Sequence, residues 1–205
     1  MAPKVSEEHM LERRNQILDA AVMTFSRNGF HQTTIEDIRV ASGLSRGAIY
    51  HYFKSKEDII DGIRERSLGQ ADDFYDQSQG NDDAATRLMD LVIGSFAVMK
   101  RPESVESNRL GVYLWAESLV NPRIMDGQLI SFAPYLDILA KDVKVMQSEG
   151  KIDEDLDALA VARVIAGTVL GLQIQLTWEP DGVDMNGAKK VLSSMLTGSF
   201  RNNHS

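Results

Sequence analysis

Apolar residues recur at helical spacing along almost the whole chain, and no Val/Ile/Thr run alternates cleanly between turn pairs. Ile17, Ala20, Ala21, Val22 and Phe25 form one stripe and Gly29 follows it, which predicts a first helix over 7–28. A short helix is expected over 34–42. Thr33 with Glu36, and Thr34 with Asp37, both stand at capping-box spacing, so either Thr can start it. Gly43 supplies a tight turn, and Ser45 caps another short helix ending near Tyr52. Ser55 with Asp58 opens a long helix over 55–78.

Gly80 and Asn81 interrupt the pattern, and Asn81 can cap a helix over 81–100 with Asp82 and Asp83 in its first turn. A further helix covers 104–120. Asn121-Pro122 then reads as a cap and first helical position, a short segment follows, and the next helix covers 132–149. A long apolar helix over 155–178 ends at the turn cluster Glu179-Pro180-Asp181-Gly182, and a last helix covers 186–200. The prediction is an all-α protein of about nine helices.

Composition narrows the class. The 205 residues, 43% hydrophobic and 25% charged, suffice for one large or two small domains with a sizeable core. No run reaches the ~18–20 uninterrupted apolar residues of a membrane span, and the polar start MAPKVSEEHMLERR lacks a signal core. The absence of cysteine excludes disulfides, thiol nucleophiles and Cys-ligated zinc. A soluble cytoplasmic protein is expected. The net charge of -8 is unevenly spread: residues 1–56 carry eight basic and six acidic side chains, while the rest is strongly acidic. That asymmetry points to separate jobs for the two ends.

The stretch TTIEDIRVASGLSRGAIYHYFKSKEDII (33–60) explains the basic end. Two short helices joined by a Gly turn and packed on a longer helix make a helix-turn-helix, whose second helix enters the major groove of DNA. Its first residues here are Ser45, Arg46, Gly47 and Ala48. Arg46 can bond a guanine edge twice, and Gly47 and Ala48 are small enough for close approach. Tyr50, His51 and Tyr52 carry groups that reach phosphate, and Lys56 stands in the first turn of the next helix beside its free amides. Thr33 or Thr34 can touch phosphate with the hydroxyl that caps the second helix. Ile35, Ile38, Leu44, Ile49 and Phe53 are expected in the core.

These residues, with ILDAAVMTFSRNGF (17–30) before them, resemble the signature of TetR-family one-component regulators at nearly every motif position. The resemblance implies an all-α homodimer with an N-terminal three-helix DNA-binding domain (1–55) and a C-terminal ligand-binding and dimerisation domain (56–205). It implies a palindromic double-stranded DNA operator and a repressor released by a small molecule. An activator with the same parts, or a helical module that only sequesters a ligand, is the alternative. One position departs from the family: Arg39 stands where Ala is usual. NRLGVYLWAESLVNPRI (108–124) and VIAGTVLGLQIQLTWEPD (164–181) resemble the C-terminal domains of a broad subset of the family.

The effector end is read from chemistry that needs partners. Leu110, Tyr113, Leu114 and Glu117 share a helical face, and a carboxylate there needs a cation, from Arg109, Arg123 or a ligand. Phe96, Met99, Tyr113, Trp115, Glu117, Phe132 and Gln173 are candidate pocket residues, which suggests a lipophilic or cationic effector. Small residues Ala166, Gly167 and Gly171, with Leu170, and the stripe holding Leu192 and Met195, suit a dimer interface. The four histidines show no metal-ligand spacing, and no phosphate loop or nucleophile elbow occurs, so neither an enzyme nor a cofactor is expected.

Overall fold

The computed structural model describes residues 7–78 and 83–196, with side chains over 7–68 and 83–196. The expected Asn81 cap and the end of the last helix beyond 196 lie outside the described residues. Within them are nine α-helices and one short 3-10 turn at Pro102–Ser104, and no strand. The helices are α1 (Glu7–Gln32), α2 (Ile35–Ser42), α3 (Arg46–Tyr52), α4 (Lys56–Ser78), α5 (Ala84–Met99), α6 (Val105–Ser118), α7 (Pro122–Ser148), α8 (Ala158–Trp178) and α9 (Met185–Leu196).

Local chemistry sets most of these boundaries. Thr34, not Thr33, caps α2: its hydroxyl accepts from Asp37 N while the Asp37 carboxylate accepts from Thr34 N at 2.8 Å. Gly43 ends α2 in the left-handed region (φ 68°), where a side chain would be strained. Ser45 caps α3 by accepting from Ala48 N at 3.1 Å. Ser55 accepts from Asp58 N at 3.1 Å, and the Asp58 carboxylate accepts from Lys54 N at 2.9 Å, which starts α4. Asp83 and Asp157 cap α5 and α8 in the same way.

The segment after Pro122 corrects the sequence reading. Instead of a short segment and a separate helix over 132–149, one helix runs from Pro122 to Ser148. Two residues that look like breakers are accommodated. Pro134 lies on the exposed side, where water can serve the carbonyl that its missing N–H abandons. Gly127 is buried, and a Cβ there would collide with the Arg64 guanidinium.

The chain forms two compact units, Met1–Gly69 with Arg109–Leu129, and Gln70–Asn108 with Ile130–Ser205. In the first, Ile17, Leu18, Ala21, Phe25, Ile38, Ile49 and Ile59 are fully buried, and Leu110 of α6 and Ile124 of α7 join them. Leu44 and Phe53 are buried as expected, and Ile35 is half-buried. In the second, Leu88, Val92 and Phe96 of α5 meet Leu139, Val143 and Met146 of α7, Ala162, Ile165 and Val169 of α8, and Leu192 of α9. Burying a Leu or Ile of this kind contributes about 1.5–3 kcal/mol of transfer free energy.

Candidate nucleic-acid interface and effector region

The helix-turn-helix presents one polar face. Ser45, Arg46, Gly47, Tyr50 and His51 are all exposed, at spacings that put them on the outer side of α3, and Thr34 and Lys54 are exposed nearby. Ile49, fully buried, anchors the opposite side of α3, and Ala48 is half-buried against the core. The Arg46 guanidinium lies over the Tyr50 ring, 5.5 Å from its centroid, which restrains a long side chain without using its donors. A Cβ added at Gly47 would meet open space, so this part of the helix can be approached closely. The His51 ring stands edge-on to Tyr52 at 5.0 Å.

Two expected DNA contacts are placed differently. Thr33 is buried, and its hydroxyl donates to Gly29 O at 2.8 Å and reaches Thr24 O at 3.3 Å. Lys56 donates to Phe30 O at 2.7 Å and lies over the Phe30 ring, so its ammonium closes the end of α1. Arg39, the position that departs from the family pattern, pairs with Glu36 at 2.8 Å on the surface of α2. That pair holds the Glu36 carboxyl below its ordinary range.

Several charges of the first unit are paired. Arg123 of α7 binds Asp58 at 2.7 Å and Asp61 at 2.6 Å. The Arg123 guanidinium, helped by Lys54 N, holds the Asp58 carboxyl below the usual carboxylate range. Glu117, 8% exposed, meets neither Arg109 nor Arg123 among its described contacts. His31 Nε2, at the end of α1, stands 2.9 Å from its carboxylate.

The candidate pocket residues divide between the units. Phe96 is buried and Met99 and Phe132 are half-buried in the second unit, where Gln173 is also half-buried. Tyr113, Trp115 and Glu117 belong to the first unit, and Tyr113 is exposed. In the second unit Asp142, nearly buried, is gripped by Arg87 at 2.6 Å. A residue that the sequence did not single out, Tyr135, packs beside Phe132 with ring centroids 6.2 Å apart. Its hydroxyl is out of reach of solvent and completes no hydrogen bond, and burial pushes its pKa up to about 12.

The expected interface residues divide: Gly167 and Met195 are exposed. Ala166 and Leu192 are in the core of the second unit, not on its surface. Each lies one helical step from the exposed faces, which carry Val164, Gly167 and Trp178 on α8 and Val191 and Met195 on α9. Leu170 and Gly171 are half-buried. By length and composition α8 could cross a bilayer, with mean hydropathy 1.6 over its most apolar window. Its Ala162, Ile165, Ala166 and Val169 side is nevertheless part of the core.

Comparison with known proteins agrees with this architecture. Residues 17–63 match the family of bacterial regulatory proteins of the TetR type, and residues 84–201 match the BetI-type transcriptional repressor C-terminal domain. The chain belongs to the TetR family. Its helix-turn-helix therefore serves transcription regulation. Among its relatives, the HTH-type transcriptional regulator UidR of Escherichia coli K12 is 25% identical over 193 residues, 91% of this chain and 94% of its own. The regulator YfiR of Bacillus subtilis is 44% identical over 70 residues, a match spanning only 34% of each chain. A transcriptional regulator of Saccharomonospora viridis, solved in complex with choline, superposes with a TM-score of 0.76 at 26% identity. That match covers 91% of this chain and 96% of the other.

Proposed function

We propose that this TetR-family protein is a ligand-responsive repressor that binds a palindromic operator as a homodimer and leaves it when a small molecule binds. The observation that carries the reading is the exposed face of α3, where Arg46, Tyr50 and His51 stand around an unobstructed Gly47. Arg46 reads a guanine edge. Ser45, Tyr50, His51 and Thr34 fix register on phosphates, and Lys54 adds charge. Thr33 and Lys56 act from behind by holding the end of α1. Residues 1–55 then form the DNA-binding domain, and 56–205 bind effector and partner.

The exposed apolar faces of α8 and α9 support the dimer. Val164 is 70% exposed, Trp178 77% and Met195 61%, an arrangement that a second copy would cover. A two-fold axis there would present two α3 helices to half-sites about 34–36 Å apart. A cytoplasmic regulator without turnover follows from the same reading. The choline complex of the relative supports a small-molecule effector. Selection of bound duplexes from a random pool tests the proposal. Two inverted half-sites centred about one helical turn apart are expected, and enrichment of a single unrepeated site, or of nothing, would contradict it.

A further inference from the structure

The buried polar groups of the second unit discriminate between kinds of effector, given that the protein binds one as proposed above. Asp142 is the buried carboxylate described in this unit, and it is engaged by Arg87 through contacts of 2.6 and 3.1 Å. Glu117, the carboxylate that could have met a cationic ligand, lies in the other unit against His31. An ionic ligand buried here would have to break a formed pair or lose its hydration uncompensated, and either is costly.

One polar group in the second unit remains uncommitted. Among the described residues, the Tyr135 hydroxyl is the buried side-chain atom without a hydrogen-bond partner. Ser95 of α5 stands beside it and offsets part of the effect of burial on the phenol, but the two hydroxyls do not meet in bonding geometry, and the Ser95 hydroxyl donates instead to Leu91 O at 2.9 Å. A buried hydroxyl left unbonded is rare and calls for an explanation. Around it the residues are apolar and deformable. Met99 lies one turn beyond Ser95 on α5, Phe132 one turn before Tyr135 on α7, and both are half-buried in the same cluster. Met99, unbranched, can move aside at small cost.

We propose that Tyr135 is the hydrogen-bonding anchor of the effector site, and that the effector is an uncharged, largely apolar molecule presenting an oxygen acceptor to the phenol. The phenol keeps its proton throughout the physiological range, so it serves as donor. The ligand's apolar body takes the place of Met99 and Phe132 within the α5–α7 cluster.

The test uses the full-length protein and its Tyr135→Phe variant, which removes only the hydroxyl. Four probes are titrated by calorimetry below their micellar concentrations: methyl decanoate, decanoate, decyltrimethylammonium and choline. Methyl decanoate is expected to bind wild type and to lose roughly tenfold in affinity in Y135F. Without probe, Y135F is expected to melt no lower than wild type, since no bond is lost. Equal affinity of both proteins for methyl decanoate, no binding of it, tighter binding of a charged probe, or a lowered melting temperature of unliganded Y135F would each overturn the inference. Binding through Tyr135 that leaves the protein on its operator would support this site and refute release by effector.

Discussion

The Arg87–Asp142 pair gives the C-terminal unit its sharpest energetic test. Arg87 of α5 places Nη2 2.6 Å and Nε 3.1 Å from one oxygen of Asp142 on α7, and the two side chains are only 15% and 6% exposed. Arg87→Leu leaves a carboxylate that water scarcely reaches. Breaking a buried pair in this way costs about 3–5 kcal/mol, whereas replacing both partners by apolar groups is often neutral. Arg87 retains some exposure and Leu fills part of its volume, so the lower end, about 3 kcal/mol, is expected. For a chain of this length that lowers the melting temperature by roughly 6–12 °C. The double variant Arg87→Leu/Asp142→Leu should recover most of the loss. Thermal unfolding followed by circular dichroism, at fixed protein concentration so that association is held constant, measures both. A single variant within 0.5 kcal/mol of wild type, or a double variant as unstable as the single one, would refute the reasoning.

Three further outcomes follow from named contacts. Thr34→Ala removes the hydroxyl half of the α2 capping box, leaving Asp37 to accept from the backbone N–H of residue 34, and should destabilise the DNA-binding domain by about 1 kcal/mol, read by chemical denaturation, while Thr34→Ser should not. Asp58 has a depressed carboxyl pKa, so its contribution is complete above the unfolded value near 4 and is lost as pH falls through the lower folded value. Asp58→Asn should therefore be less stable at neutral pH and show a shallower loss below pH 4. An acid limb as steep as that of wild type would argue against the Arg123 pairing. Val164→Glu places a charge on the exposed apolar face of α8 and should shift sedimentation from dimer to monomer without loss of helical content; an unchanged dimer would place the interface elsewhere.

What the sequence made legible was mostly local. The Thr34–Asp37 spacing, Ser45 three residues before Ala48, and Gly43 at a left-handed cap are decided within a few residues, and the structure has each of them. The helix-turn-helix followed from those signals. The misread elements depended on surroundings. The pattern predicts a short segment before a helix over 132–149, but one helix runs through, with Gly127 making room for Arg64 and Pro134 on the exposed side, and neither fact is present in the local pattern. Periodicity located apolar faces on α8 and α9 without fixing their rotation. A one-residue step turns a helix by about 100°, so of Ala166 and Gly167, both expected at an interface, the first is buried and the second exposed. Partners far along the chain were the least visible. Glu117 needed a cation, but a histidine at the end of α1 could only be found by folding the chain. The orphaned hydroxyl of Tyr135 emerges from the packing of α5 on α7.

The most direct test of the account is binding of the protein to the DNA flanking its own gene, by fluorescence anisotropy at two salt concentrations, against scrambled DNA and with Arg46→Ala alongside. Tight binding to the flanking DNA alone is expected, weakening steeply with salt. Arg46→Ala should lose about 1–3 kcal/mol, roughly five- to 150-fold, on that sequence and almost nothing on scrambled DNA. Failure of the wild-type protein to bind either DNA at low salt, or an Arg46→Ala variant that binds the flanking DNA as well as wild type, would contradict the central claim that the outer face of α3 reads an operator.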